Sequence, residues 1–148
     1  AGRYFMLKAY LIQALCMIIR EQREEKQEGE GKGYIFQSTG KKYVVQQIMK
    51  YMEENYQEKI SLEQIAANMY LSSFYIAKIF KSETGDTPIN YLIRLRMEKA
   101  KEILEISPEE PIKEVAAAVG YSDAYHFSKL FKKHYGISPL YYKKESFS

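Results

Sequence analysis

The sequence contains an internal repeat, which restricts the possible folds more than any other feature. Ile65-Ala66-Ala67 recurs as Val115-Ala116-Ala117 at a shift of 50 residues, and Ser72 likewise matches Ser122. Farther along the chain the shift is 51, with matched positions in both copies: Lys78, Phe80, Lys81, Gly85, Pro88 and Tyr91 correspond to Lys129, Phe131, Lys132, Gly136, Pro139 and Tyr142. The change in shift indicates one extra residue in the second copy, near Asp123-Ala124. The chain therefore contains one small structural unit twice.

Each copy has the pattern of a short helix, a turn and a second helix. Apolar residues recur at helical spacing, and past Gly33 there is no alternating run long enough for a strand. Ser61 and Gln64 form a capping-box pattern at a helix start, while Gly85 and Gly136 offer left-handed helix ends. A longer helix of about 20 residues, beginning near Pro88, connects the copies. We predict an all-α fold of two tandem helix-turn-helix subdomains joined by a long helix and preceded by an N-terminal amphipathic helix.

Residues 1–28 form a separate predicted helix. Its apolar stripe follows helical spacing and consists of Tyr4, Leu7, Leu11, Leu15 and Ile18. Because such a broad stripe needs a partner surface, it either docks on the rest of its own chain or forms a homodimer helix, and periodicity does not choose between the two. The apolar run is short for a bilayer and contains Lys8, so we expect no membrane span. The glycines that follow predict a flexible linker over residues 29–42.

The second helix of each copy has a core-facing side and an outward side. The core-facing residues are large and apolar: Ile76, Ile79 and Phe80 in the first copy, and Phe127, Leu130 and Phe131 in the second. The outward residues are mixed: Phe74, Ala77, Lys78 and Lys81 in the first copy, and Tyr125, Ser128, Lys129 and Lys132 in the second, with Ala124 and His126 beside them. A helix with such a face fits the major groove of DNA, where its side chains can meet base edges.

Net charge by itself gives only weak support for nucleic-acid binding. The whole chain carries +3, and from residue 41 onward 16 Lys and Arg stand against 14 Asp and Glu. Any basic surface must therefore be local. The lysines predicted to pair with DNA phosphates are Lys81, Lys132, Lys133, Lys143 and Lys144. The connecting helix, on the order of 30 Å long, is close to the ~34 Å turn of B-DNA, so one chain could reach two successive major grooves.

The run from about Ser61 to Lys143 resembles the DNA-binding domain of the AraC/XylS family of bacterial transcription regulators. The second copy carries the most specific motif: Ile112, Val115-Ala116 and Val119-Gly120-Tyr121, then Tyr125-His126-Phe127-Ser128-Lys129-Leu130-Phe131-Lys132-Lys133, Gly136-Ile137-Ser138-Pro139 and Tyr142. The first copy agrees at Ser72, Phe80-Lys81, Gly85, Tyr91-Leu92, Arg96 and Ala100. The resemblance covers over half of the chain. It implies seven helices in two subdomains, with each recognition helix in the major groove beside promoters.

The resemblance also implies which residues contact bases. These are Ser73, Phe74, Ala77 and Lys78 in the first copy, and Ala124, Tyr125, His126, Ser128 and Lys129 in the second. The first recognition helix offers few hydrogen-bonding groups, so we expect modest direct readout there. Arg94 and Arg96 on the connecting helix stand outside this set, because arginines there more often pair with local acids such as Glu98 or pack against the subdomain.

The resemblance further implies a domain organisation and partners. Residues 43–146 form an AraC-type DNA-binding domain, with the first helix-turn-helix at 43–86, the connecting helix at 87–106 and the second helix-turn-helix at 107–146. Residues 1–28 are expected to be the last helix of a truncated effector or dimerisation region, and a signalling helix after a phosphoreceiver domain fits equally. Double-stranded DNA is the expected partner. RNA polymerase and a second copy of the chain are further candidates, and the effector is unidentified.

No pattern in the sequence points to catalysis, a metal or a cofactor. Cys16 lies inside the apolar first helix, and with only His126 and His134 as histidines there is no zinc ligand set. There is also no phosphate-binding loop and no nucleophile paired with a base. We therefore expect a cytoplasmic protein that is not an enzyme. The alternative function is a helical protein-interaction or dimerisation module, which predicts self-association without salt-sensitive affinity for duplex DNA.

Overall fold

The computed structural model describes residues 30–146, with side chains from residue 40 to residue 145. Within this range the chain forms helices and no strand, which confirms the predicted all-α class. The helices are α1 (Glu30–Asn55), α2 (Leu62–Asn68), α3 (Ser73–Thr84), α4 (Pro88–Ile106), α5 (Ile112–Ala118), α6 (Ala124–Tyr135) and α7 (Pro139–Ser146). None of these helices has a stretch apolar enough, over sufficient length, to cross a bilayer. The predicted N-terminal amphipathic helix lies outside the described residues.

Residues 30–42 are helical in the structure, whereas their glycines predicted a flexible linker. Helix α1 runs without interruption through Gly31, Gly33 and Gly40. A glycine inside a helix costs about 1 kcal/mol relative to alanine, so glycines weaken a helix without preventing it. A helix that is already formed also extends without a new nucleation cost, and the packed residues after Lys42 supply such a helix. The linker conformation was therefore predicted wrongly, while the proposed domain boundary at residue 42 stays a prediction.

The described residues fall into two compact units. The first comprises residues 30–54 together with Ser61–Pro88, so it contains α2 and α3 as its helix-turn-helix. Its buried side chains come from three helices and include Val44, Val45, Ile48 and Met52 of α1, Ile65 and Ala66 of α2, and Ile76, Ile79 and Phe80 of α3. The core-facing positions predicted for α3 are thus confirmed. Burial of these side chains fixes which face of α3 remains outside.

The second unit comprises Asn55–Ile60 and residues 89–146. Its core is a cluster of side chains that are at most 1% exposed: Met97, Ala100 and Leu104 of α4, Val115 and Ala116 of α5, Val119, and Phe127 and Phe131 of α6. The rings of Phe127 and Phe131 lie 6.0 Å apart, and Tyr142 of α7 meets Phe131 edge-on at 5.9 Å. Aromatic pairs at such distances add to the burial energy of the rings. This packing fixes the orientation of α6.

Arg96 attaches the segment Asn55–Ile60 to the second unit. Its Nε donates to the carbonyl of Tyr56 and its Nη2 donates to the carbonyl of Glu58, both at 2.8 Å. Its guanidinium also lies 5.0 Å from the centroid of the Tyr121 ring. The side chain is only 8% exposed, so it serves the interior and is not available to phosphate. Sequence reasoning expected an acid such as Glu98 as partner or packing on the subdomain, and the second expectation is correct.

The turn inside each helix-turn-helix needs one residue in the left-handed region. In the second unit this residue is Gly120, with φ of 97°, and in the first it is Tyr70, with φ of 56°. The two positions are equivalent in the repeat, because the residue that follows each makes the same hydrogen bond. The Leu71 N–H donates to the Ala66 carbonyl, and the Tyr121 N–H donates to the Ala116 carbonyl. Tyrosine pays a steric cost in this region that glycine avoids.

We therefore expect Tyr70→Gly to raise the free energy of unfolding of the first unit by about 0.5–1 kcal/mol. Relief of the left-handed strain, about 1–2 kcal/mol, exceeds the entropy that glycine adds to the unfolded chain. Little burial is lost, because Tyr70 is 85% exposed. Urea unfolding followed by circular dichroism measures the change, with Tyr70→Ala as the matched control that removes the ring and keeps the strain. A glycine variant no more stable than the alanine variant would contradict the prediction.

Candidate nucleic-acid interface

Helix α3 is fixed at both ends by its own sequence. The Ser72 hydroxyl accepts from the Tyr75 N–H at 3.0 Å, which satisfies one of the free amides at the helix start. At the other end Gly85 has φ of 79°, and its N–H donates to the Lys81 carbonyl at 2.8 Å. The end at Gly85 follows the predicted signal. The exposed side of α3 is therefore presented on a helix of fixed length and phase.

Helix α6 has an equivalent frame with a different cap. The Asp123 carboxylate accepts from the amides of Tyr125 at 2.9 Å and His126 at 3.4 Å. Asp123 takes the place of Ser72 as N-cap, at the shift of 51. The match of Ser72 with Ser122 was therefore wrong by one residue, and the extra residue of the second copy is Ser122, which precedes the cap. A carboxylate at this end also interacts favourably with the helix dipole. Gly136, with φ of 84°, ends α6 as Gly85 ends α3.

The structure places the predicted base-contact residues of α3 on one side of the helix, away from the core. Phe74 is 79% exposed, and Lys78 one turn later is also exposed. Ser73 and Ala77 are half-buried at the edges of this surface. The four residues lie together, and their assignment to bases stays a prediction.

The corresponding residues of α6 are also brought together. Tyr125 is 69% exposed, His126 and Lys129 are exposed, and Ala124 and Ser128 are half-buried. The Lys129 ammonium lies 4.5 Å from the centroid of the Tyr125 ring, within cation–π distance. This contact holds the lysine along the exposed side of the helix. We name these two exposed sides the α3 face (Ser73, Phe74, Ala77, Lys78) and the α6 face (Ala124, Tyr125, His126, Ser128, Lys129).

The lysines predicted to meet phosphates differ in availability. Lys81, Lys132, Lys133 and Lys144 are exposed. Lys143 instead donates to the Glu110 carbonyl at 2.7 Å and is half-buried, so in this structure its ammonium fastens α7 to the loop before α5. Lys143 thus has a structural partner that sequence reasoning did not anticipate. The apolar stripe predicted for dimerisation, Tyr4, Leu7, Leu11, Leu15 and Ile18, lies outside the described residues.

Helix α7 makes a second polar contact, this time to α4. The Tyr142 hydroxyl donates to the Glu105 carboxylate. This hydrogen bond is the main reason why the pKa of Tyr142 is raised to about 12, with a smaller contribution from burial. The phenol therefore stays protonated, and the contact intact, across the neutral range. Among the described residues there is no cluster of three or more potential metal ligands.

Comparison with known proteins agrees with this architecture. A family model described as a helix-turn-helix domain matches residues 65–145, which is more than half of the chain. The MmsAB operon regulatory protein of Pseudomonas aeruginosa is 39% identical over 94 residues, covering 64% of this chain and 30% of that protein. The chain spans about a third of the length of the curated relatives it matches.

Solved structures give the same result. The C-terminal domain of AraT, a response regulator from Geobacillus stearothermophilus, superposes with a TM-score of 0.66 at 35% identity, covering 69% of this chain and 84% of that domain. The DNA-binding domain of AdpA, a global transcriptional factor solved in complex with a target DNA, superposes with a TM-score of 0.64 at 27% identity, covering 69% of this chain and 91% of that one. The resemblance found in the repeat is thus confirmed, and the chain belongs to the AraC/XylS family of helix-turn-helix transcription regulators.

Proposed function

We propose that this chain is a sequence-specific DNA-binding transcription regulator that places α3 and α6 in successive major grooves of a promoter. One observation carries the proposal: both recognition helices expose lysines at repeat-equivalent positions, Lys78 with Lys129 and Lys81 with Lys132. Neither pair is required by the core, which the apolar sides of the helices fill. An isolated surface lysine has no special meaning, but two equivalent pairs on two faces of groove-sized helices are explained by a polyanion.

Under this proposal, different side chains contact bases and phosphates. The exposed side chains of Lys129, Tyr125 and His126 on the α6 face can donate to base acceptors such as guanine O6 and N7. Lys81, Lys132, Lys133 and Lys144 lie toward or beyond the helix ends and are assigned to phosphates, which position the protein without reading sequence. The DNA complex of the AdpA domain supports this use of the fold.

Partners beyond DNA form part of the same proposal. A promoter-bound regulator meets RNA polymerase, and the apolar stripe of residues 1–28 would supply a homodimer contact. Bacterial promoters lie in the cytoplasm, so a regulator that binds one is expected to act there. The region that senses the effector is proposed to lie outside this chain, because the matched part covers only 30–38% of the curated relatives.

Replacing Lys78 and Lys129 together with alanine is expected to weaken binding to the preferred duplex about 100-fold, or roughly tenfold for each lysine. The slope of log affinity against log salt should fall by less than one for each lysine, because this slope counts neutralised phosphates and both lysines are assigned to bases. Both substitutions are at exposed helical positions, so the fold is retained. Fluorescence anisotropy with a duplex selected from a random pool, titrated with salt, gives both quantities.

Lys59→Ala is the matched control, because it removes an exposed lysine in the loop between α1 and α2, outside the recognition helices. It should change the affinity by less than about twofold, as expected for one distant surface charge. Wild-type chain that is folded but fails to bind any duplex at low salt would overturn the DNA-binding proposal and favour the protein-interaction module. Equal effects of the control and the double variant would overturn the assignment of Lys78 and Lys129.

A further inference from the structure

The two recognition faces differ in chemistry at equivalent positions. Where the α6 face has the hydroxyl of Ser128, the α3 face has the methyl group of Ala77. Where the α6 face has the phenol of Tyr125, the α3 face has the unsubstituted ring of Phe74. The backbone frames of the two helices are alike, with an N-cap and a left-handed glycine at the same register. The difference is therefore one of surface chemistry on similar scaffolds.

Phe74 is exposed, and the core formed by the described residues is filled without it. It is 79% exposed in the first turn of α3, while the core-facing Ile76, Ile79 and Phe80 are at most 3% exposed. One exposed apolar residue on a surface is ordinary. Here, however, the ring lies on the same side of the helix as Ala77, one turn away, and Lys78 and Lys81 lie on that side too. The charges of Lys78 and Lys81 indicate that this side of α3 faces DNA. The group that meets Phe74 and Ala77 is therefore expected to be the edge of a base.

We propose that Phe74 and Ala77 read the C5-methyl groups of thymines in the half-site that faces α3. This methyl is the apolar group that the bases present in the major groove, and it distinguishes thymine from cytosine there. Lys78 then supplies the polar contact of this half-site. The inference rests on the proposed function. It predicts that the half-site facing α3 is rich in thymine. It also predicts that removing one buried methyl group lowers the affinity for DNA about fourfold.

Replacement of thymidine by deoxyuridine tests the inference, because it removes the C5-methyl group and leaves the hydrogen-bonding pattern of the base unchanged. The full chain is first used to select its preferred duplex from a random pool. That duplex is then prepared with sparse random deoxyuridine, separated into bound and free fractions, and cleaved at uracil. We expect methyl-dependent thymines in one half-site, with each lost methyl lowering affinity about fourfold. We expect Phe74→Ala to abolish the effect at the thymines that face the ring and to leave those that face Ala77.

Ile89→Ala is the matched control, because it removes a 62% exposed apolar side chain from α4, outside both recognition faces. It should leave the interference pattern unchanged. A pattern that is identical in wild type and Phe74→Ala, or a selected half-site without thymine, would overturn the inference while DNA binding stands. Absence of any duplex binding by the folded wild-type chain would instead overturn the proposed function, and the inference with it.

Discussion

Gly120→Ala is expected to destabilise the second unit by about 3 kcal/mol. The first cause is the backbone, because φ of 97° is a conformation that side-chain-bearing residues rarely adopt. The second cause is space: a Cβ on Gly120 would lie 2.9 Å from the Tyr56 carbonyl oxygen and 3.0 Å from Nη2 of Arg96. The oxygen belongs to the backbone, so it can move only by displacing the segment that Arg96 holds. Strain and overlap therefore add.

Gly136→Ala is the matched control for this prediction. Gly136 has φ of 84° in the same unit, but a Cβ there would meet no atom of the described residues within 4 Å. Only the conformational cost applies, so the expected loss is about 1 kcal/mol. Urea unfolding by circular dichroism gives the stabilities, and hydrogen exchange of the α6 amides assigns the change to the second unit. Equal losses for the two alanine variants would show that the close approach at Gly120 has no energetic consequence.

Arg96→Met is expected to cost a similar amount, about 3 kcal/mol, because it removes two charge-assisted hydrogen bonds. The carbonyls of Tyr56 and Glu58 would lose their donors, and the Tyr121 ring would lose its cation. Methionine keeps much of the side-chain volume, so the loss reports the guanidinium and not a cavity. Arg96→Lys should recover only part of the loss, since an ammonium cannot match two carbonyls in the fixed geometry of the guanidinium fork.

Arg94→Met is the corresponding control on the same helix. Arg94 is exposed and lies 5.5 Å from the centroid of the Tyr91 ring, so its replacement should cost about 0.5–1 kcal/mol. A cycle with Gly120→Ala provides a further check. Because the added Cβ and the guanidinium would occupy the same space, the two losses should not be additive when combined. Additive losses, or an Arg94 variant as unstable as the Arg96 variant, would contradict this account.

The predictions from sequence succeeded where the information is local or periodic. Spacings of three and four identified the buried sides of α3 and α6, and Ser61, Gly85 and Gly136 marked helix ends that the structure confirms. A cap depends on the few residues beside it, so such signals can be seen in the chain itself. The repeat then transferred the assignment from one copy to the other. The repeat did not identify Asp123 as the cap of α6, because the shift changes at that point.

The remaining features depend on residues that are distant in the chain. Arg96 meets carbonyls 40 and 38 residues earlier, and Lys143 meets a carbonyl 33 residues earlier. No periodic pattern records such pairs, because a backbone carbonyl carries no residue-specific signal. Residues 30–42 show the opposite case, in which low local helix propensity did not prevent a helix.

The sequence by itself therefore determined the helices after residue 42, the buried and exposed sides of α3 and α6, and the family, because each depends on spacing, caps or a repeated motif. The tertiary structure decided that Asn55–Ile60 belongs to the second unit and that Arg96 and Lys143 serve the scaffold. It also decided which left-handed glycine is crowded, since a Cβ on Gly120 would have close neighbours, whereas one on Gly136 would have none among the described residues. The physical reason is that hydrogen bonds to backbone carbonyls and close approaches of backbone atoms arise only once distant segments meet.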